Sequence, residues 1–491
     1  MQLNGVYSSL TLGKGSSTLI PTVAVSAGAT SCVLTWNKIN SATAYDIWST
    51  LLGNSRTYVG RTSGLTYTVT GLTSNSTYSF EVIASNSSGI ISTTTTSATT
   101  KPLTTNFTYI VPGTTQQFSG NTTSTRTAYW LNGLNVPNNA WTGMRIGFTN
   151  DQPTPYAVAG VYMANTGAAA PLTENINTGY VTIFSEHAGN GPLIVSAGSS
   201  THNKVTWFGG GNGTLISQYF NGAVDIVVEL SGGAPLGKWV YRSSIGYYPW
   251  NIYDTLGVLP STSNTINTSS SLSQSFGVLP NLVIKFEGLT TPVVTIPMVG
   301  DSHIWGYGDG GGINESLGIP ARMFSRWAAN STYYMPINLG YVGQTSPDIA
   351  TRWSNYLADG FDFRTAAIEF GSINDWVNSL PASGWQTNWN SMVAAANNQP
   401  VIPILGGVYG SETSANVVDQ KTEWSWIASH RPDLCYGITK NVVTSATMTW
   451  TTSADVFYDG SHPNTAGYDQ WETDAHTQIE NFIAAKVSLY G

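Results

Sequence analysis

The chain has 491 residues, a formal net charge of −8 and 9% charged residues, against about 25% in an average soluble protein. With 19 Lys and Arg and no basic run it argues against a nucleic-acid partner, and 41% hydrophobic residues can fill cores and argue against disorder. No run of 18 apolar residues occurs, so no membrane span is expected.

The length allows about three domains of roughly 150 residues. Gly, Ser, Thr and Asn replace the missing charges, a balance that suits β-rich domains facing the outside. The N-terminal segment, 1–19, shows no basic stretch followed by an apolar one, so no Sec-type signal is expected in it. Extracellular placement, by secretion or on a phage tail, is the expectation. The two cysteines, Cys32 and Cys435, stand far apart. That spacing excludes a disulfide framework or a cysteine zinc site, and both read as small core residues.

Residues 20–100 alternate apolar and polar positions between turn clusters, the pattern of an antiparallel sandwich. Trp36 ends one strand and Tyr45 begins the next. Leu72, Tyr78, Phe80, Val82 and Ala84 come after them with period two in a tyrosine-corner layout. The segment resembles a fibronectin type III domain along its whole length, which implies a spacer module. Thr93 to Asn106 reads as a linker.

From 106 to 288 the chain reads as all-β again, with candidate strands such as "AYWLNGL", "GMRIGFTN", "YAVAGVYMAN" and "NLVIKFEG". A two-sheet sandwich or jelly roll is expected. The aromatics Trp130, Trp141, Trp207, Trp239 and Trp250 could stack on sugar rings or fill the core.

From 292 to 491 short apolar strands alternate with helical stretches. The strands are "VVTIPMV", "MPINLGYV", "AAIEFG" and "VIPILGG"; the helices begin at "IPARMF", "SPDIATRW", "WQTNWN" and "NVVDQKT". The last stretch places Trp471, Ala475, Ile479, Phe482 and Ile483 on one helical face. Such alternation implies a parallel α/β sheet, whose sites form at the carboxyl ends of strands. Ser302, Gly343, Asn374 and Asp459 all fall near such ends.

A serine hydroxyl is a poor nucleophile at neutral pH and needs a base that is itself oriented. In "YDGSHPNTAG", His462 is the candidate base and Asp459 can orient it from the same loop. Pro463 opens the final helix. The backbone N–H groups of Ser302 and Gly343 and the side-chain amide of Asn374 are candidate oxyanion donors.

Gly-Asp-Ser after the first strand, a glycine after the second, Asn-Asp after the third and Asp-x-x-His before the last helix together resemble the SGNH, or GDSL, hydrolase family. The resemblance covers the last 200 or so residues, with all four blocks in order. It implies a three-layer, flavodoxin-like α/β fold. It also implies Ser302 as nucleophile, His462 and Asp459 completing a triad, an oxyanion hole from Ser302, Gly343 and Asn374, and no metal or cofactor.

The full reading is thus multidomain: two all-β sandwiches and then a hydrolase domain. Two departures from the family pattern stand out. Ser372 occupies the position where the third block usually has glycine, and His303 comes after the nucleophile where the pattern has leucine. Asp301-x-His303 also opens the signature of metallophosphoesterases, but the further Gly-Asn-His and Gly-His-x-His motifs are missing. Glu315, Asp348 and Asp375 read as surface or capping groups.

The expected activity is a two-step serine esterase. The expected partner is an acetylated polysaccharide or other glycan, since β-modules rich in aromatics suit a polymer. The competing expectation is a glycan-binding or adhesion protein with a degenerate hydrolase domain. Oligomeric state is not legible.

Overall fold

The computed structural model describes residues 21–110, 117–119, 126–134, 141–165, 181–185, 192–207, 224–231, 236–238, 254–256, 278–280, 282–309, 318–329, 334–370, 372, 374–375, 378, 382–395, 401–405, 443–444, 449–450 and 462–486. The chain divides into two compact units, Met1–Lys101 and Pro102–Gly491. The expected segment 1–19, Trp239, Trp250, Glu315 and the helix beginning at Asn416 lie outside the described residues.

Among its described residues the first unit holds seven strands: β1 (Val23–Ala27), β2 (Cys32–Trp36), β3 (Ala44–Leu51), β4 (Thr57–Thr62), β5 (Thr66–Val69), β6 (Thr77–Asn86) and β7 (Gly89–Thr99). They form two antiparallel sheets, β1-β2-β5 and β4-β3-β6-β7. Cys32, Leu34, Trp36, Tyr45, Ile47, Phe80, Val82 and Ala84 share one core, as period-two alternation requires. The Tyr78 hydroxyl accepts from the Thr73 backbone at 2.9 Å, closing the tyrosine corner.

The expected linker starts too early. Thr93 to Thr99 continues β7, paired residue by residue with β6 from Ile83↔Thr93 to Thr77↔Thr99. Its threonines alternate between half-buried and exposed. A threonine run looks loop-like by polarity, yet β-branched side chains fit a pleated edge well.

The second unit begins with β8 (Phe107–Ile110), β9 (Gln117–Ser119), β10 (Arg126–Leu134), β11 (Gly143–Asn150), β12 (Tyr156–Asn165), β13 (Val181–Ser185), β14 (Leu193–Val195) and β15 (Lys204–Trp207). It continues with β16 (Val224–Ser231), β17 (Leu236–Lys238), β18 (Asp254–Leu256), β19 (Val278–Pro280) and β20 (Leu282–Glu287). These strands pair as β13-β12-β16-β10-β18 with β14 beside β12, as β15-β11-β20-β8, and as β19-β17-β9. Trp141 and Trp207 are core side chains rather than exposed platforms.

A parallel sheet comes next, built from β21 (Val294–Gly300), β22 (Tyr334–Gly340), β23 (Ala366–Phe370) and β24 (Val401–Leu405) in the order β22-β21-β23-β24. Every residue of β21 and β22 is buried, as expected of strands covered on both faces. Among the described residues the helices are α1 (Ser302–Trp305), α2 (Gly318–Ala329), α3 (Ser346–Ala358), α4 (Ala382–Ala395) and α5 (Thr465–Lys486). α2 packs on β22 and α5, while α3 packs on α4 and β21. Among the described residues no helix is long and apolar enough to cross a membrane.

The strand order reverses direction between β21 and β23, which creates a crevice at their carboxyl ends. Ser302 lies directly after β21.

The sequence suggests separate β and α/β cores in this region, but the two share one. Tyr109, Val205, Trp207 and Val283 pack in the same cluster as Val299, Ile337, Trp353, Phe361 and Phe363. Polar contacts reinforce it. Asp359, at the end of α3, accepts from Lys204 Nζ at 2.6 Å and from the Val205 backbone at 3.1 Å, and it contacts His202 Nε2 at 3.2 Å. Trp207 Nε1 donates to the Asp359 carbonyl at 3.2 Å. Of the two readings open for Trp207, sugar platform or core, the structure favours the core: it is mortar between the β strands and α3.

Candidate active site

β21 ends at Gly300, a position where no side chain fits. A Cβ at Gly300 would lie 2.3 Å from both Glu369 Oε2 and Ile304 Cγ1, and one at Gly340 would lie 2.2 Å from Trp305 N. These close approaches let α1 turn tightly over the strand ends. Asp301 caps the turn through its carboxylate, which accepts from the His303 backbone at 2.8 Å. Gly306 ends the turn in the left-handed conformation, φ 97°.

This geometry presents Ser302, 2% exposed, to the start of the last helix. Ser302 Oγ lies 2.9 Å from His462 Nε2, although 160 positions of chain separate them. That distance is an ordinary hydrogen bond between a hydroxyl and an imidazole.

The head of α5 anchors the backbone beside His462. Asn464 Oδ1 accepts from the Gly467 backbone at 3.1 Å in the first turn of that helix. α5 is in turn pinned to α2: Arg326 pairs with Glu472, and Trp327 Nε1 donates to Glu480 Oε1 at 2.6 Å. Asp459, the expected third member of the triad, lies outside the described residues.

Gly343 sits exposed in the turn between β22 and α3 with φ +81°, and open space surrounds the position of a Cβ. The left-handed backbone alone favours glycine there. Beside it, the Gln344 carbonyl receives Asn374 Nδ2 at 2.9 Å and Ser372 Oγ at 2.6 Å. Asn374 Nδ2 also lies 3.1 Å from Ser372 Oγ and 3.3 Å from Asp301 Oδ2. The two N–H bonds of Asn374 thus have partners within the protein, and donation to a substrate oxyanion requires one of them to be exchanged.

Ser372, already noted in the sequence, and Glu369 and Arg352, which the sequence did not single out, complete the site. Ser372, the departure from glycine, places its hydroxyl 2.6 Å from Asp301 Oδ2, and the Asn374 backbone donates to it at 3.0 Å. Glu369, on β23, accepts from the Asp301 backbone at 2.6 Å. A glutamate inside the buried strand "AAIEF" is a signal in itself, since charges enter parallel strands at a cost. Arg352, fully buried on α3, donates to Gln344 Oε1 at 2.6 Å, to the Gly300 carbonyl at 2.9 Å and to the Leu339 carbonyl. One guanidinium thus ties two strand ends to the Gly343 turn.

The β part of the unit reaches the same turn. Tyr341 donates its hydroxyl proton to Asp151 Oδ2 at 2.9 Å, and Gln344 Nε2 donates to the Ser200 carbonyl at 2.6 Å. Asn355 Nδ2 donates to the Thr201 carbonyl at 2.9 Å. Asp348 acts as a cap, accepting from the Thr345 backbone at 3.1 Å and its hydroxyl at 2.7 Å. Asp375 also caps, accepting from the backbones of Ser346 and Ser372 at 2.7 and 3.0 Å, but it is buried rather than at the surface.

Burial dominates the electrostatics. It pushes the Asp375 carboxyl up to about 6, against the backbone hydrogen bonds that favour its charged form. Glu369 is raised well above the usual carboxylate range, first by burial and then by the Asp301 charge. Burial works to raise Asp301 too, but the His303 charge and the hydrogen bonds from His303 and Ser372 hold it at about 2. Asp301, His303 and Glu369 bring ligand-type atoms within 4.8 Å of one another, all buried. In this structure the Asp301–His303 contact is a 2.9 Å hydrogen bond.

No family model matches the chain, and no curated protein matches it. Among solved structures, it is similar to a protein from Desulfitobacterium hafniense DCB-2 described as lipolytic and of the G-D-S-L family. That match has 21% identity and a TM-score of 0.30 over 38% of this chain and 98% of the other. It is similar to the psychrotrophic esterase EstA from Pseudoalteromonas sp., with 17% identity and a TM-score of 0.32 over 39% of this chain and 98% of that one. A mutant of the domain FN3tt shares 31% identity over 17% of this chain and 94% of that one, with a TM-score of 0.16.

Proposed function

We propose that the chain is a serine ester hydrolase of SGNH type acting on O-acetyl groups of a polysaccharide. The observation that carries the reading is the 2.9 Å contact between Ser302 Oγ and His462 Nε2 at the crevice of a parallel sheet. Nucleophile and base within hydrogen-bond reach are the core of acyl transfer by serine.

In this reading Ser302 Oγ attacks the ester carbonyl while His462 accepts its proton. The carbonyl oxygen, now negative, takes hydrogen bonds from the Ser302 and Gly343 backbones and from Asn374 once its amide leaves an internal partner. His462 returns the proton to the departing alcohol. Water, deprotonated by the same imidazole, then hydrolyses the acyl-enzyme. Asp459 is assigned the role of orienting His462. These steps use side chains, backbone and water.

The polysaccharide assignment rests on the low-charge β modules preceding the sheet and on the absence from the sequence of a long apolar lid. The same features support an extracellular setting, as a secreted enzyme or a phage tail component.

The test is release of p-nitrophenol from its acetate ester. Ser302→Ala is expected to lower kcat by about a thousandfold or more while the fold is retained. Equal turnover by the variant would remove the enzyme claim and favour a binding protein. Acetate release from acetylated xylan, pectin and bacterial capsules should then exceed hydrolysis of long-chain acyl esters; the reverse preference would overturn the polysaccharide assignment.

A further inference from the structure

His303 stands where the family pattern has leucine, and none of the proposed steps uses it. Its side chain is fully buried and tightly held. Nδ1 lies 2.9 Å from Asp301 Oδ1, and the backbone N–H of the same residue donates to that oxygen at 2.8 Å. The ring lies over the ring of His462, with centroids 5.1 Å apart and planes 26° from parallel. Tyr307 makes a second ring contact with His462, at 4.4 Å and 43°. The imidazole facing Ser302 therefore rests against two aromatic plates, and one of them can carry charge.

The surroundings of His303 favour that charge. The Asp301 carboxylate is wholly buried and needs a counter-charge in contact with it. Glu369 Oε1 lies 3.8 Å from His303 Nδ1, and burial followed by the Asp301 charge raises its carboxyl well above the usual range, which weakens it as a second anion. From β23 and its loop, Asp375, Ser372 and Asn374 stand behind Asp301. From α5, the Tyr468 hydroxyl donates to the carbonyls of His303 at 3.1 Å and Tyr307 at 3.0 Å, and burial raises its pKa well above the ordinary tyrosine value. From α1 onward, Asp309 is paired with Arg322 of α2, which also binds Asp469. From α3, Arg352 is directed to backbone carbonyls and Gln344. The titratable ring in direct contact with the Asp301 carboxylate is that of His303, at 2.9 Å.

We propose that His303 is a positioning residue for His462: an imidazolium paired with Asp301, stacked on the His462 ring, which sets the plane of that ring toward Ser302 Oγ and opposes a second positive charge on it. The proposal rests on the reading of His462 as the base. Its consequence has a definite sign. A cation beside His462 disfavours the protonated form of His462, so the base stays neutral, and hydrolysis continues, to lower pH.

The experiment uses the full chain. His303→Phe keeps a plate and removes the charge; His303→Gln removes ring and charge but keeps a donor for Asp301. The acid limb of kcat/KM is expected to move upward by about 0.5–1 pH unit in both. In His303→Gln, where the plate is also lost, kcat is expected to fall about tenfold with KM unchanged. Proton NMR titration of the histidine ring resonances reads the same effect without catalysis. In the unaltered protein the His303 signals should stay at their charged position up to about pH 8, and those of His462 should titrate higher in either variant. A His303 ring that is neutral throughout, or His462 titrations that superimpose in parent and variants, would overturn the proposal. Should the unaltered chain hydrolyse no ester, the functional reading fails, yet the NMR titration still decides the stack.

Discussion

Tyr341→Phe tests whether the β strands and the α/β part act as one unit. The substitution removes the hydroxyl that donates to Asp151 Oδ2 at 2.9 Å. Asp151 is 4% exposed and also receives Gln152 Nε2 at 2.8 Å on its other oxygen. A hydrogen bond to a charged group contributes about 1.5–3 kcal/mol, and a buried acceptor that loses its partner keeps its desolvation cost. Arg352 lies over the Tyr341 ring at 5.4 Å, and the ring survives the change, so packing should be nearly intact. A double-mutant cycle with Asp151→Asn isolates the pair. A coupling of about 1–2 kcal/mol is expected in urea unfolding, with kcat falling several-fold in each single variant, because this contact is one of those that brace the Gly343 turn. Additive effects, with coupling below about 0.3 kcal/mol and kcat unchanged, would refute the claim that Asp151 braces that turn.

Charge and capping give further expected outcomes. Asp375, with its folded pKa raised to about 6 from 3.8, contributes stability that is fully present below about pH 4 and lost as pH rises through about 6. Two units correspond to about 3 kcal/mol. Urea midpoints of the parent should therefore fall over that window, and those of D375N should not; equal slopes would contradict the assignment. Asp301, held near 2, has the opposite sign: its contribution is present above about pH 4 and lost as pH falls through about 2. Asp348→Ala removes the cap on Thr345 and should cost about 1 kcal/mol in the same assay, with no change in the pH profile of hydrolysis.

Two positions of the candidate site, Ser302 and His462, were legible because they lie where patterns change. Ser302 comes two residues after the end of an apolar strand, His462 precedes a proline just ahead of the last helix, and these two positions meet at 2.9 Å. The sandwich of the first unit was legible for a similar reason: Leu72, Tyr78, Phe80, Val82 and Ala84 alternate strictly, and all are buried. What escaped the sequence depends on tertiary packing. Thr93 to Thr99 looks polar and loop-like, and only its pairing with β6 makes it strand. Asp375 looks like a surface cap, yet two helix and loop termini converge on it from both sides. Trp207 and Tyr109 give no hint that they pack against Phe361. Partners far apart in sequence, such as Asp151 and Tyr341, leave no periodic trace at all.

The central claim is that Ser302 Oγ is a nucleophile activated by His462. Mass spectrometry of the protein after treatment with an alkyl fluorophosphonate measures this directly, since the reagent phosphonylates an activated serine and leaves ordinary hydroxyls alone. The account predicts a single adduct on the peptide containing Ser302, absent in Ser302→Ala and formed at least about a hundredfold more slowly in His462→Ala. No adduct on Ser302, or equal labelling in the His462 variant, would contradict it.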